Sequence, residues 1–216
     1  MSESLAKTEL VVRTIAQTAL DNEKYFGDLD AVVGDGDFGY SLARGFGKLM
    51  EGWDAMEYSD VGGLLKKTAL TLSSRIGGTS GPIWGTAFLR AGSALSDKPN
   101  PSGEDVVAAL RAAIEGIKQR GNSDLGDKTL LDSLIPAVDT LEQELQAGKP
   151  AGDALAAAAV TARETAEATK TMLAQRGRAS YTGERSRDSV DAGAMGVAVM
   201  FEAVSKAWRG SELEPA

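Results

Sequence analysis

The stretch Leu130-Leu131-Asp132-Ser133-Leu134-Ile135-Pro136-Ala137-Val138-Asp139-Thr140-Leu141-Glu142-Gln143-Glu144-Leu145 decides the fold class. Leu130, Leu134, Ile135, Val138, Leu141 and Leu145 recur three and four residues apart, which places them on one face of a helix and the charged residues opposite. The same spacing continues outward in both directions. Toward the N-terminus, Leu10, Val11, Ile15, Ala19 and Leu20 mark a first helix, and Leu42, Phe46, Leu49, Met50 and Trp53 a second. Val61–Leu72 and Ile83–Leu95 follow, and a faint helix falls near Asp21–Phe26. Ser102 with Asp105 reads as an N-cap pair ahead of Val106, Leu110, Ile114 and Ile117. Toward the C-terminus, Pro150 suits the first turn of an alanine-rich helix ending near Ala174, and Val197, Met200, Phe201, Val204 and Trp208 define a last one. Nowhere does a sustained apolar/polar alternation sit between hairpin turns. The expected fold is therefore all-α, an antiparallel up-and-down bundle of about eight helices in one domain spanning residues 1–216.

Composition narrows the chemistry. The net charge of −8 in 216 residues argues against nucleic acid or an anionic membrane as partner. No apolar run reaches the length of roughly 18 residues expected of a membrane span. The opening MSESLAKTELVVRT lacks the pattern of a signal peptide, so the cytoplasm is the expected compartment. Cysteine and histidine are both absent. That excludes thiolate sites, phosphohistidine, a Ser-His-Asp triad and a histidine adduct with a carbonyl substrate. Any metal must be held by oxygen, which selects Mg²⁺, Mn²⁺ or Ca²⁺.

Four joints between helices exceed what a simple bundle needs, at Asp28–Ser41, Arg75–Gly85, Arg120–Thr129 and Gln175–Gly193. Counting helices between them places at least three of these joints at the same end. The first reads Asp30-Ala-Val-Val-Gly34-Asp35-Gly36-Asp37-Phe38-Gly39. Its three carboxylates repel one another, which is tolerable in water or around a cation. An arbitrary Asp-Gly-Asp is a solvated turn. An EF-hand fails here because Gly39 and Phe46 stand where loop positions 5 and 12 need ligands. Mg²⁺ takes few carboxylates and completes its shell with water and phosphate oxygens. Asp30, Asp35 and Asp37 are thus read as ligands of one or two Mg²⁺ ions bridged by a di- or triphosphate.

The second joint, Gly77-Gly78-Thr79-Ser80-Gly81-Pro82, sets small residues and hydroxyls at a helix N-terminus. That is either a flexible capped loop or a nest for an anion. The third, Gly121-Asn-Ser-Asp-Leu-Gly126-Asp127-Lys128-Thr129, approaches a phosphate-binding P-loop, but Asp127 intrudes and no strand precedes it. It reads instead as a capped helix start able to line a purine pocket. The fourth, from Arg176 to Ser186 and on to Asp191-Ala192-Gly193, carries the densest positive charge of the chain. Arg178 and Arg185 are natural phosphate partners, unless the segment is simply a solvated loop.

Taken together, LDAVVGDGDFGYSLARGF, GGTSGPIWGT, GDKTLLDSLIPA and RGRASYTGERS followed by DAGA resemble the nucleotide-binding L subunit (DhaL-type) of bacterial dihydroxyacetone kinase. The resemblance runs over nearly the whole length. It implies an antiparallel helical barrel binding ADP or ATP at one end through two Mg²⁺ ions on Asp30, Asp35 and Asp37. It implies nucleotide contacts from Phe38, Gly39, Tyr40, Ser41, Thr79, Ser80, Gly121, Leu130, Arg178, Asp191, Ala192 and Gly193. Catalytic roles fall to the three aspartates and Arg178. Phe38 and Ser41 depart from some relatives, which carry histidine and asparagine there, and Phe38 is expected to cover the phosphates or the base.

The implied activity is phosphoryl transfer to a small ketose held covalently on a histidine of a separate K subunit, in keeping with the lack of histidine here. The donor is ATP or a phosphotransferase-system protein that recharges bound ADP, and the assembly is a homodimer or a heterocomplex. Two further readings are a nucleotide-loaded module docking on a transcription regulator, and a kinase subunit for another acceptor such as an erythrulose-like tetrulose or a fatty acid.

Overall fold

A computed structural model describes residues 2–213. Among the described residues there is no strand, and nine α-helices account for the fold. They are α1 (Glu3–Asp21), α2 (Glu23–Asp30), α3 (Phe38–Glu51), α4 (Val61–Arg75), α5 (Ser80–Ala94), α6 (Gly103–Gly121), α7 (Leu131–Gln146), α8 (Ala151–Ala168) and α9 (Ala192–Leu213). Consecutive helices from α3 to α9 pack side by side, and α1 closes the circuit by packing on both α3 and α9. The result is a ring of eight antiparallel helices with the short α2 laid against α3 and α9 at one end. The eight expected from periodicity are the eight of the ring.

Alternation of direction sorts the joints. Residues 31–37, 76–79, 122–130 and 169–191 gather at the end that carries α2. The opposite end holds the remaining connections, tied together by Tyr58 Oη donating to Glu9 (2.9 Å) and by Lys7 lying 5.2 Å from the centre of the Trp208 ring.

Each helix owes its place to burial of its apolar face, since isolated segments of this length are marginal in water. Phe26, Leu42, Phe46, Leu64 and Leu72 are fully buried in one part of the core, where Phe46 meets Trp84 edge-on at 6.0 Å. The 130–145 stripe supplies another part, with Leu131, Val138 and Leu141 packed beside Ile114 and Ile117 of α6. Where α7, α8 and α9 meet, the contact is made by Ala137, Ala162, Ala166, Ala194 and Ala198, small enough to let the backbones approach closely. Pro136 sits inside α7 and removes one backbone hydrogen bond, a loss outweighed by burial on three sides. No described helix is long and apolar enough to cross a membrane.

The start of α6 is a complete capping box: the Ser102 hydroxyl accepts from Asp105 N–H (3.2 Å) while the Asp105 carboxylate accepts from Ser102 N–H (2.9 Å). Ser102→Ala should therefore cost about 1 kcal/mol in urea unfolding.

Three boundaries differ from expectation. The faint helix is shifted, spanning Glu23–Asp30 rather than Asp21–Phe26, because the fully buried Phe26 anchors its middle. Asp30 is thus the last residue of a helix and the first joint is only residues 31–37. Helix α5 begins at Ser80, earlier than Ile83. Helix α8 stops at Ala168 instead of near Ala174. There the Thr169 hydroxyl donates to the Ala166 carbonyl (2.6 Å) and accepts Asp191 N–H (2.8 Å), turning the chain out of the helix.

Candidate functional site

The four joints surround one cavity of about 230 Å³, lined from Leu29–Phe38, Gly77–Trp84, Lys128–Leu130, Arg176–Ala179 and Val190–Gly193. A larger hollow of about 730 Å³ lies at the other end between α6 and α7. Its one strong cation, Arg111, is already paired with Asp139 and Glu142, so it offers no comparable chemistry.

Asp30 closes α2, and its carbonyl accepts Gly34 N–H (2.6 Å), folding the next residues back on the helix end. Any side chain at Gly34 would collide with the Asp30 carboxylate. The glycine thus leaves that carboxylate free to face the cavity. Any side chain at Gly39 would run into the Glu23 carbonyl, so glycine there lets α2 and α3 cross in contact. The outcome is that Asp30, Asp35 and Asp37 each present an oxygen within 4.8 Å of the others. Three carboxylates so close demand positive charge. Arg178 supplies part of it, pairing with Asp35 across the cavity mouth. A hard divalent cation fits the donor set, which is all oxygen and partly exposed.

Opposite the aspartates stands the N-terminus of α5. Thr79 makes no side-chain capping bond, so the first N–H groups of the helix stay open toward the cavity beside Gly77 and Gly78. Leu29, Val33, Ile83, Trp84, Leu130 and Val190 form apolar wall.

The third joint is shaped from below. Asp132, buried in the first turn of α7, accepts Gly126 N–H (2.6 Å) and Thr129 N–H (2.7 Å), one with each carboxylate oxygen. Lys128 is buried too, and its ammonium group turns away from the cavity into the fourth joint. Asp191 caps α9 by accepting Ala194 N–H (2.8 Å). Burial pushes its carboxyl up to about 7; the bond from Ala194 opposes the rise and the neighbouring Asp132 adds to it. Asp191 as a residue is half-buried and lines the cavity.

A carboxyl raised in the folded chain holds its proton more tightly there than in the unfolded chain. Stability therefore falls as pH climbs from the ordinary value of 3.8 toward about 7. Asp191→Asn keeps the acceptor for Ala194 and removes this dependence. Its melting temperature should gain on the parent by a few degrees between about pH 5 and about pH 8; a constant difference would contradict the assignment.

Of the residues singled out in the sequence, Asp30, Asp35, Asp37, Phe38, Thr79, Ser80, Leu130, Arg178, Asp191, Ala192 and Gly193 line the cavity. Gly39, Tyr40, Ser41 and Gly121 do not. Gly39 and Ser41 are buried behind it, Tyr40 points to solvent, and Gly121 lies outside the wall against Ile83 and Ser123. The Phe38 ring does not cover the mouth: it is tucked inward, 6.0 Å from Phe26 and beside Gly196. Arg176, Ile83 and Trp84 also belong to the wall, beyond the residues the sequence singles out. The last two carried a signal, being the first apolar residues after the glycine-rich turn.

The DAK2 domain family matches residues 32–206. The PEP-dependent dihydroxyacetone kinase ADP-binding subunit DhaL of Escherichia coli (strain K12) is 36% identical over 206 residues, covering 94% of this chain and 98% of that subunit. The chain belongs to the DhaL family. A DhaL-type region also matches within longer proteins. L-erythrulose 1-kinase of Mycolicibacterium smegmatis is 36% identical over 202 residues, covering 91% of this chain and 34% of the kinase. The crystal structure of the dihydroxyacetone kinase from C. freundii in complex with AMP-PNP and Mg²⁺ superposes with a TM-score of 0.74 at 26% identity, covering 95% of this chain. This DhaL-type chain spans about a third of each of those two proteins.

Proposed function

We propose that the chain is the L subunit of a dihydroxyacetone-type kinase, forming one nucleotide-binding unit that presents Mg-ADP or Mg-ATP to a ketose carried by a separate K subunit. The observation that carries this reading is the meeting of Asp30, Asp35 and Asp37 with the open N-terminus of α5 and Arg178 around one cavity. A relative named as an ADP-binding subunit, matched along nearly its whole length, supports it, as does a neighbour solved with AMP-PNP and Mg²⁺.

Asp30, Asp35 and Asp37 would hold Mg²⁺, which when bound supplies Lewis-acid neutralisation of phosphate charge. We infer two ions, since three carboxylates exceed what one Mg²⁺ bound to phosphates and water usually takes. The chain's own groups do the rest. The N–H groups at Thr79–Ser80 donate to phosphate oxygens, Arg178 meets the charge that spreads over the transferred phosphoryl group, and the apolar wall from Ile83 to Leu130 receives the base. Among the cavity residues the candidate proton acceptors are carboxylates, so the base that activates the acceptor hydroxyl belongs to the K subunit.

The free-standing relatives named PEP-dependent match over 98% and 87% of their length, which favours a separate subunit recharged by a phosphotransferase-system protein. The test is turnover with the cognate K subunit, supplying either ATP or the phosphotransferase proteins with phosphoenolpyruvate, and dihydroxyacetone or erythrulose as acceptor. Dihydroxyacetone phosphate formed only with the second donor is the expected result. Turnover with neither donor would refute the kinase reading, and preference for erythrulose would move the acceptor to the four-carbon class named in other relatives.

A further inference from the structure

Arg178 reaches the aspartates from a segment with little regular structure of its own. Residues 169–191 contain a helical turn at 169–171 and a 3-10 run at Arg178–Ser186, broken by the non-helical Gly183. Tyr181 within it is 90% exposed, and hydrophobic burial of this loop is confined to its ends, at Ala174 and Val190. Something else must set the height of Arg178 over the cavity.

Beside the bond from Ala174 N–H to Ser186 Oγ (2.9 Å) and the ion pair of Arg178 with Asp35, Lys128 ties the loop at three points. It is 2% exposed, and its ammonium group donates to three backbone carbonyls spread along the loop: Met172 (3.2 Å), Ser189 (2.7 Å) and Ser186. These acceptors bracket Arg178 on both sides in sequence. All three protons of the ammonium group are thereby engaged, so Lys128 lines the cavity without being free to grip a phosphate itself. The residue sits at a φ of +61°, a conformation that non-glycine residues rarely hold unless their surroundings enforce it. Asp132 provides that enforcement by bonding the N–H groups on either side of Lys128, at Gly126 and Thr129. The neighbouring Asp127 adds two lighter ties, accepting Gln175 N–H at its carbonyl (3.0 Å) and Arg176 Nε–H at its carboxylate (3.1 Å).

We propose that Lys128 is a positioning residue: by bonding three carbonyls of the 172–189 loop at once, it fixes Arg178 over the aspartate cluster and so sets nucleotide affinity through Arg178. This deepens the nucleotide-site reading and rests on it. The proposal makes Lys128 and Arg178 one functional unit, and residues that act through one another are not additive.

The test is a double-mutant cycle on the full chain, with Mg-ADP titrated calorimetrically into the parent, Lys128→Met, Arg178→Ala and the double variant. Each single variant is expected to bind on the order of tenfold more weakly or worse, and the double variant to match Arg178→Ala within about twofold. Losses that multiply, or parental affinity in Lys128→Met, would overturn the proposal. Limited trypsin digestion gives a readout that does not depend on nucleotide. Cleavage after Arg176, Arg178 and Arg185 should quicken at least about tenfold in Lys128→Met while cleavage after Lys48 and Lys66, on α3 and α4, keeps the parental rate. Unchanged loop cleavage, or equal acceleration everywhere, would also overturn it. If Lys128→Met fails to fold, Lys128→Gln, one bond shorter and unable to span three carbonyls, is carried through both measurements, and parental behaviour in both refutes the proposal. A parent that binds no Mg-ADP would refute the nucleotide reading, while the digestion pattern would still decide whether Lys128 holds the loop.

Discussion

Replacing Asp37 by asparagine will weaken Mg-nucleotide binding on the order of a hundredfold, about 2.7 kcal/mol, while leaving the protein as stable or slightly more stable in the absence of Mg²⁺. Two physical effects act in opposite directions. As a candidate ligand, the Asp37 carboxylate contributes charge that an amide cannot replace. As a member of a trio whose oxygens lie within 4.8 Å of one another, it also repels its neighbours. At the first residue before α3 its side chain makes no capping bond, so the change to asparagine removes repulsion and loses no hydrogen bond. Asp35→Asn should weaken binding equally but without the gain in stability, because it gives up the ion pair with Arg178. Calorimetric titration with Mg-ADP and thermal unfolding in EDTA measure the two effects separately. An Asp37→Asn protein that binds as tightly as the parent would remove the residue from the ligand set.

The second large effect concerns Arg178. Arg178→Ala should lower kcat of the reconstituted kinase by roughly 10³-fold, within the range spanned by arginines that meet a transferring phosphoryl group. The KM of the ketose should stay near its parental value, since that substrate rests on the other subunit. Arg178→Lys should recover little, because a single ammonium cannot present the planar pair of donors that matches a phosphate edge. A loss confined to KM of the ketose would instead make Arg178 a docking residue.

Much of the architecture was legible because it is written in local periodicity. The 130–145 stripe became α7 almost residue for residue, and Ser102 with Asp105 formed the cap it promised. Alternation of helix direction was enough to place at least three of the four polar joints at one end, and the structure gathers all four there. The aspartate cluster was legible for a different reason: carboxylates crowded by glycine spacing have few physical explanations, and the collisions a side chain would make with the Asp30 carboxylate at Gly34 and with the Glu23 carbonyl at Gly39 give that spacing its purpose.

What was not legible depended on contacts between distant joints. Met172, Leu173 and Ala174 continue an apolar run after α8, yet the helix stops at Ala168 because Thr169 is needed to bind Asp191 N–H. The Gly126–Thr129 turn reaches the cavity wall through Lys128 and Thr129, but the lysine's ammonium group faces the neighbouring loop and serves the architecture of the site. No local pattern distinguishes a lysine that meets a phosphate from one that meets three carbonyls 44 to 61 residues away. The inward turn of the Phe38 ring was hidden on similar grounds, since only the position of Phe26 and Gly196 shows where it can go.

We propose the cavity between the four joints as a Mg-nucleotide site. It is tested most directly by mass spectrometry of the small molecules released when the purified native chain is denatured, with and without prior exchange into EDTA. Stoichiometric ADP is expected from the untreated protein, and its loss after the chelator has stripped Mg²⁺ from Asp30, Asp35 and Asp37. Absence of any nucleotide, together with failure of the emptied protein to take up added Mg-ADP, would contradict it.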